Sequence, residues 1–271
     1  IVELDGATEV DESGTTDTFT VVLDAEPATD VVLTVTSDDT SEATVNSPLT
    51  FTPANWDTPQ TVTVTGADDD LVDGTITSTV TVAVDDVNSS DGFDSLIDQI
   101  VSVDTTDDDV AGFTIVELDG STEVDEAGST DTFTVVLDAQ PTSDVVMSTA
   151  SNDTSEATTT NTLTFTPSNW DTPQTVTVTG IDDNIIDGTV TSSVVISIID
   201  ANSDDDFDAI ADQTVSVDTA DNDAPGFTIE ETDAATEVDE SGSTDTFTVV
   251  LDAQPTSDVV LTITSDDTGE A

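Results

Sequence analysis

Apolar side chains recur at every second position along much of the chain. Phe19, Val21 and Leu23 alternate with Thr or Val, as do Val31, Leu33 and Val35. Val62 and Val64 alternate with Thr, Val80, Val82 and Val84 continue the pattern over a longer run, and Val101 and Val103 follow. A period of two turns one face to a core and the other to water. The β-branched Val and Thr that fill these runs suit a pleated surface. Asp-Gly and Ser-Gly pairs, Asn/Asp clusters and Pro separate the runs at the spacing of an all-β sandwich, and predict about seven antiparallel strands in two sheets. Phe93 to Asp98, with its counterpart from Phe207, is the exception and predicts a single helical turn.

The pattern is written more than once. Ile1-Val2-Glu3 returns as Ile115-Val116-Glu117, and Phe51 to Gly66 returns from Phe165 to Gly180 with one change, both at an offset of 114 residues. That is the size of a domain and too long for a solenoid repeat. The expected organisation is a sandwich over residues 1–110, a second over 111–224, and an incomplete third copy over 225–271 with the N-terminal strands only. The stop within Gly269-Glu270-Ala271, in mid-copy, reads as an excerpt from a longer array, although completion by strands of another chain would also close the sheets. Val110-Ala111-Gly112 and Ala224-Pro225-Gly226 mark the joints. They are too short to act as free tethers, and an extended rod is expected.

Composition narrows the chemistry. The chain has 271 residues and 61 Asp plus Glu, with no Lys, Arg, His or Cys, for a formal charge of −61. There is no Ser/His dyad, no thiolate nucleophile or thiolate zinc site, no disulfide and no Schiff-base lysine. Nothing can clamp a phosphate, and a polyanion of this density repels nucleic acid and anionic membranes. No apolar run approaches the roughly 20 residues of a membrane span. High charge with 35% hydrophobic residues would ordinarily mean disorder, but the alternation argues for folded sheets.

Carboxylate, hydroxyl and backbone oxygens remain, which is the ligand set of a hard cation. Asp outnumbers Glu by 47 to 14, and the Asp residues cluster. Asp68-Asp69-Asp70 and Asp73-Gly74 follow the strand of Val62 and Val64, while Asp107-Asp108-Asp109 end the strand of Val101 and Val103. A looser group runs Asp85, Asp86, Asp91, Asp94 and Asp98. The second copy repeats all three, with Asn184 and Asn222 each replacing an Asp. Two bare carboxylates ~4 Å apart repel by roughly 4 kcal/mol at an effective dielectric of ~20, so converging loops of this kind need a counter-ion. Calcium, with six to eight oxygen ligands, fits better than magnesium, which prefers to keep its waters. The plain alternative is that acidic turns are merely solvated, or belong to a salt-adapted protein.

The order of features resembles the Calx-β domain family, the Ig-like calcium-binding modules of sodium–calcium exchangers, with related repeats in large bacterial secreted and surface proteins. The carriers are Thr8 to Gly14 (TEVDESG), Leu49 to Gly74 (LTFTPANWDTPQTVTVTGADDDLVDG) and Val101 to Asp109 (VSVDTTDDD). The resemblance implies tandem Ig-like Greek-key sandwiches that hold calcium at one end. By motif it implies ligands at Glu12, at Asp68, Asp69 and Asp73, and at Asp107, Asp108 and Asp109. In the second copy these become Glu126, then Asp182, Asp183 and Asp187, then Asp221 and Asp223. The chain departs from the family at Ser41-Glu42-Ala43, which leaves Glu42 as a candidate substitute for an Asp. It departs also at Ile76, where a second Glu is usual, and at neutral Asn222. Fewer or weaker calcium ions per copy are expected than in the richest members.

Trp56 and Trp170, in NWDTPQ, are expected to pack against the core or its loops; stacking on a sugar is the alternative. Paired carboxylates in polar Asp runs lack the apolar cleft that a glycosidase acid needs. The reading is therefore a non-enzymatic, extracellular or cell-surface structural array of bacterial type. It would be a calcium-stiffened shaft of an adhesin, surface fibre or filament, whose partners are neighbouring repeats and copies of itself, without nucleic acid or membrane insertion. The alternatives are a module whose sandwich itself recognises glycan, ice or another cell, and a calcium-regulated domain of a transporter.

Overall fold

The alternating runs form strands, and their apolar faces meet between two sheets. In this computed structural model, which describes residues 1–3, 6–160 and 162–269, the first copy contains β1 (Val2–Glu3), β2 (Thr8–Asp11), β3 (Thr16–Val21), β4 (Val31–Ser37), β5 (Ala43–Val45), β6 (Leu49–Phe51), β7 (Gln60–Gly66), β8 (Ile76–Val84) and β9 (Gln99–Thr106). One sheet has the order β1-β3-β7-β5 and the other β2-β9-β8-β4-β6. Phe19, Phe51, Val62, Val64, Val80 and Val103 are fully buried between them. Each lies on the inward side of its alternating run, so the sequence period becomes the core directly.

The strand count exceeds the expected figure of about seven. The N-terminal segment ahead of the first alternating run is divided between the sheets: β1 pairs antiparallel with β3, whereas β2 pairs parallel with β9. The edge strands β5 and β6 span three residues each, too few for a period of two to register. The helical turn expected at Phe93–Asp98 is a succession of turns, with the Phe93 N–H on the Ser90 carbonyl and the Leu96 N–H on the Phe93 carbonyl. In the second copy the corresponding connection has two 3-10 turns, Asp200–Asn202 and Asp205–Phe207, and the Ile210 N–H then donates to the Phe207 carbonyl at 3.2 Å.

The second copy repeats the arrangement with β10 (Phe113–Glu117), β11 (Thr122–Asp125), β12 (Thr130–Leu137), β13 (Val145–Ser151), β14 (Ala157–Thr159), β15 (Thr162–Phe165), β16 (Gln174–Gly180), β17 (Val190–Ile198) and β18 (Gln213–Ala220). Its sheets run β10-β12-β16-β14 and β11-β18-β17-β13-β15. Beyond them β19 (Phe227–Glu231) and β20 (Phe247–Leu251) form a two-stranded hairpin. Phe247 is 38% exposed there, while its counterpart Phe133 is fully buried, because a hairpin alone has no second sheet to cover it.

By contacts the chain divides into two units. One comprises Ile1–Gly112 with Leu137–Ser143 and Thr166–Asp171, and the other Phe113–Val136, Asp144–Phe165 and Thr172–Ala271. No helix among the described residues is long and apolar enough to cross a membrane.

Candidate metal centres

Three chain segments bring carboxylates to one end of the first sandwich. The first is the exit of β2. Its parallel pairing with β9 is extended by the Glu12 N–H, which donates to the Thr106 carbonyl at 3.1 Å. The Glu12 side chain is thereby turned inward and is only 1% exposed. Second is the loop between β7 and β8, where the Leu71 N–H donates to Asp69 Oδ1 at 2.7 Å. Third is the exit of β9, carrying Asp107 to Asp109. Glu12, Asp69 and Asp109 each offer an oxygen within 4.8 Å of the other two. With calcium–oxygen distances of about 2.3–2.6 Å, three such atoms fit around one ion.

Asp107 has a different part. Its Oδ2 accepts the backbone N–H groups of Asp73 at 3.0 Å and Gly74 at 2.8 Å, and its Oδ1 accepts that of Asp109 at 2.7 Å. It ties the acidic loop to the end of β9. Gly74 has φ of 75°, a conformation in which a side chain is strained, and this aims its N–H at the clamp. Asp68 and Asp108, included among the expected ligands, are exposed and stand outside the group.

Glu42 enters where the sequence offered it only as a substitute. Its backbone carbonyl accepts the Ala67 N–H at 2.8 Å and the Thr105 hydroxyl at 3.4 Å, and its side chain is 4% exposed. Burial pushes its carboxyl upward, and the charges of Asp73, Asp39, Asp69 and Asp107 add to the effect. Glu12 is pushed up to about 7, by burial first and then by Asp69, Asp107, Glu42 and Asp73. Asp109 rises to about 6 for the same reasons, with Asp107 the leading neighbour. Both Glu12 oxygens, one Glu42 oxygen and one Asp109 oxygen are buried with no hydrogen-bond partner. The sequence signal for Glu42 is its return as Glu156 within an unchanged stretch, Asp39 to Thr44 recurring as Asp153 to Thr158.

The second sandwich holds two three-carboxylate groups that share no residue. Glu126, Asp221 and Asp223 form one, and Glu156, Asp183 and Asp187 the other. Asp221 repeats the clamp, accepting the N–H groups of Asp187 at 3.1 Å, Gly188 at 2.8 Å and Asp223 at 2.7 Å. These donors, Gly188 and Asp223 foremost, hold its carboxyl below the usual range. Burial raises Glu126, Glu156 and Asp223, and neighbouring acids add to each; the Asn222 N–H on Glu126 Oε2 at 3.1 Å offsets part of the rise at Glu126. Asn222 also donates through Nδ2 to the exposed Asp182, so it cross-links the two acidic segments. The looser cluster from Asp85 to Asp98 joins no such group among the described residues. Trp56 is partly buried and packed against the core, and its carbonyl accepts the Leu23 N–H, in line with the packing role expected for it.

No family model and no curated protein matches the chain. Among solved structures, the calcium binding domain CBD12 of CALX1.1 is similar at 19% identity, over 71% of this chain and 77% of that one, with a TM-score of 0.30. Domains 4 and 5 of the S-layer protein SbsC are similar at 17% identity, over 69% and 70% of the two chains, with a TM-score of 0.33. An endo-fucoidan hydrolase of glycoside hydrolase family 107 is similar at 12% identity, over 80% of this chain and 27% of that one, at 0.25. Likenesses at these scores assign no family. The sandwich rests on the strand order and buried faces of the chain itself.

Proposed function

We propose that each complete sandwich binds calcium at its acidic end, and that the chain is a non-enzymatic structural array working outside the cell as part of an adhesin shaft, surface fibre or filament. The observation that carries this reading is Glu12, almost wholly buried with both carboxylate oxygens unpartnered among other acids. The chain has no Lys, Arg or His to neutralise it. Burying an unpaired carboxylate is costly, and a divalent cation is the counter-charge that an all-oxygen donor set selects. Glu12, Asp69 and Asp109 would hold it in the first sandwich, with Glu42 beside them. Glu126, Asp221 and Asp223, and Glu156, Asp183 and Asp187, would provide two positions in the second.

Bound calcium supplies positive charge and turns mutual repulsion into a cross-link between three chain segments. The structural role follows from near-identical tandem copies, which give length, and from the absence of Cys, which leaves a cation as the staple. Extracellular calcium near millimolar fills sites with dissociation constants of about 10⁻⁴ M. Calorimetric titration of the metal-free chain with calcium, alongside thermal unfolding in calcium and in chelator at fixed ionic strength, tests the site. A midpoint raised by calcium is expected from linkage, and an unchanged midpoint would make the acids solvation alone. Small-angle scattering in the two conditions tests the shaft: calcium should extend and narrow the distance distribution.

A further inference from the structure

In the first compact unit, the stretch from Asp138 to Gln140 is bonded to two other segments. The Asp138 N–H donates to the Gly112 carbonyl at 2.9 Å. The Gln140 N–H donates to the Asp70 carbonyl at 2.6 Å, and the Gln140 carbonyl accepts the Val72 N–H at 3.1 Å. Leu71 and Gln140 thus form a parallel β-bridge. Leu71 is the residue whose own N–H holds the Asp69 carboxylate. One turn of chain therefore carries a proposed cation ligand on one side and this backbone bridge on the other.

The arrangement recurs in the second unit at the repeat offset. The Gln254 N–H donates to the Asn184 carbonyl at 2.5 Å, Ile185 bridges Gln254, and the Asp252 N–H donates to the Gly226 carbonyl at 3.0 Å. Gly112 and Gly226 lie against the same stretch, where a Cβ would come 2.5 Å or 2.3 Å from a carboxylate oxygen of Asp138 or Asp252 and would have to push that side chain aside. The Gln140 side chain donates through Nε2 to the Pro167 carbonyl at 3.0 Å. At the equivalent place in the first copy stands Glu26, exposed. A carboxylate there has no proton to donate and would add a charge beside Asp70.

We infer that Asp138–Gln140 and Asp252–Gln254 are docking ledges for the cation-binding loop of the preceding copy, engaged when that loop is ordered around its ion, and that Gln rather than Glu at this position admits an acidic loop. This rests on the calcium reading above. Without a cation, Asp69, Asp70 and Asp73 repel Glu12, Glu42 and Asp109, the loop moves outward, and the bridge to the ledge opens. With the cation in place, the loop presents the Asp70 carbonyl and the Val72 N–H at a fixed edge.

The test is amide hydrogen exchange on the 271-residue chain, with and without calcium, accompanied by a calcium-binding isotherm. Removing calcium should speed exchange at Val72, Gln140 and Gln254 by about tenfold or more, while Val64 and Val178 within the sheets change far less. Gln140→Glu should speed exchange at Val72 in calcium, leave Gln254 protected, and by reciprocity weaken calcium binding at the first sandwich by at most about the tenfold that calcium adds to the bridge. The residue is tolerated by the fold, since Glu26 occupies the same place. A normal isotherm with equal protection of Val72 and Gln140 in both conditions overturns the ledge and spares the calcium site. So does a Gln140→Glu chain with Val72 still protected, or a loss of protection spread equally over the sheets. A missing isotherm overturns the calcium reading and the ledge together.

Discussion

Gly66 passes so close to Asp11 that a Cβ on it would lie 2.0 Å from the Asp11 carbonyl oxygen, and Gly180 stands in the same relation to Asp125. The end of β7 and the exit of β2 can therefore approach only because the residue at the crossing has no side chain. Glu12 and Glu126 follow immediately, so this contact sets how far each reaches into its acidic group. Gly66→Ala or Gly180→Ala should cost about 1–3 kcal/mol by overpacking and weaken calcium binding. Gly92→Ala, with open space around its Cβ, should change neither. Thermal melts and titrations of the three variants check this, and equal behaviour would remove the crossing from the account.

The clamp makes a second, separable prediction. Asp107 engages three backbone N–H groups, two of them in the acidic loop. Asp107→Ala should lower calcium affinity of the first sandwich by about 10–100-fold, the usual cost of losing a residue that orients ligands. It should do so while the metal-free melt moves little, because the freed N–H groups lie near the surface and can reach water. A fall in metal-free stability as large as the fall in affinity would assign Asp107 to the fold instead.

Much of this was legible beforehand because it is periodic. Inward residues such as Phe19, Val62 and Val64 are visible from alternation alone, and the tandem copies from self-comparison. The division of the N-terminal segment between β1 and β2 was not, since parallel pairing of β2 with β9 leaves no mark in local sequence. In the candidate site, the resemblance named segments whose acids the fold brings near one another, but it treated those acids alike. Burial separates them: Glu12 and Asp109 face inward, while Asp68 and Asp108 face water. Alternating consecutive Asp residues between the two sides of the chain produces that difference. Glu42 was undervalued because a lone Glu before an edge strand has no pattern of its own.

The pH dependence of the metal-free chain should run opposite to that of the calcium form. Glu12 rises from an ordinary 4.5 to about 7, and Asp109 from 3.8 to about 6. The folded, metal-free state therefore binds more protons than the unfolded one in this window, and its stability falls as pH rises from about 4 to 7. Calcium requires the ionised forms, so calcium-induced stabilisation should grow over the same range. Melts at a series of pH values, with and without calcium, read both slopes. A metal-free midpoint that climbs through the window would contradict the buried, crowded setting of these two acids.

Glu12→Gln isolates the central group. The amide is close to isosteric and uncharged, so it removes the repulsion of Glu12 with Asp69, Asp107, Glu42 and Asp73 without opening a cavity. Near pH 7.5 the metal-free first sandwich should melt a few degrees higher than the parent, an effect set by the small unfolding entropy of a domain this size. The same change deletes one of the three converging oxygens as a charged ligand, so calcium should no longer raise that transition. The transition of the second sandwich, with Glu126 intact, serves as the internal reference. Exposed Asp57→Asn, which lowers the net charge equally, should leave both calcium responses in place. If Asp57→Asn reproduced the Glu12→Gln behaviour, total charge rather than a built site would explain the acids.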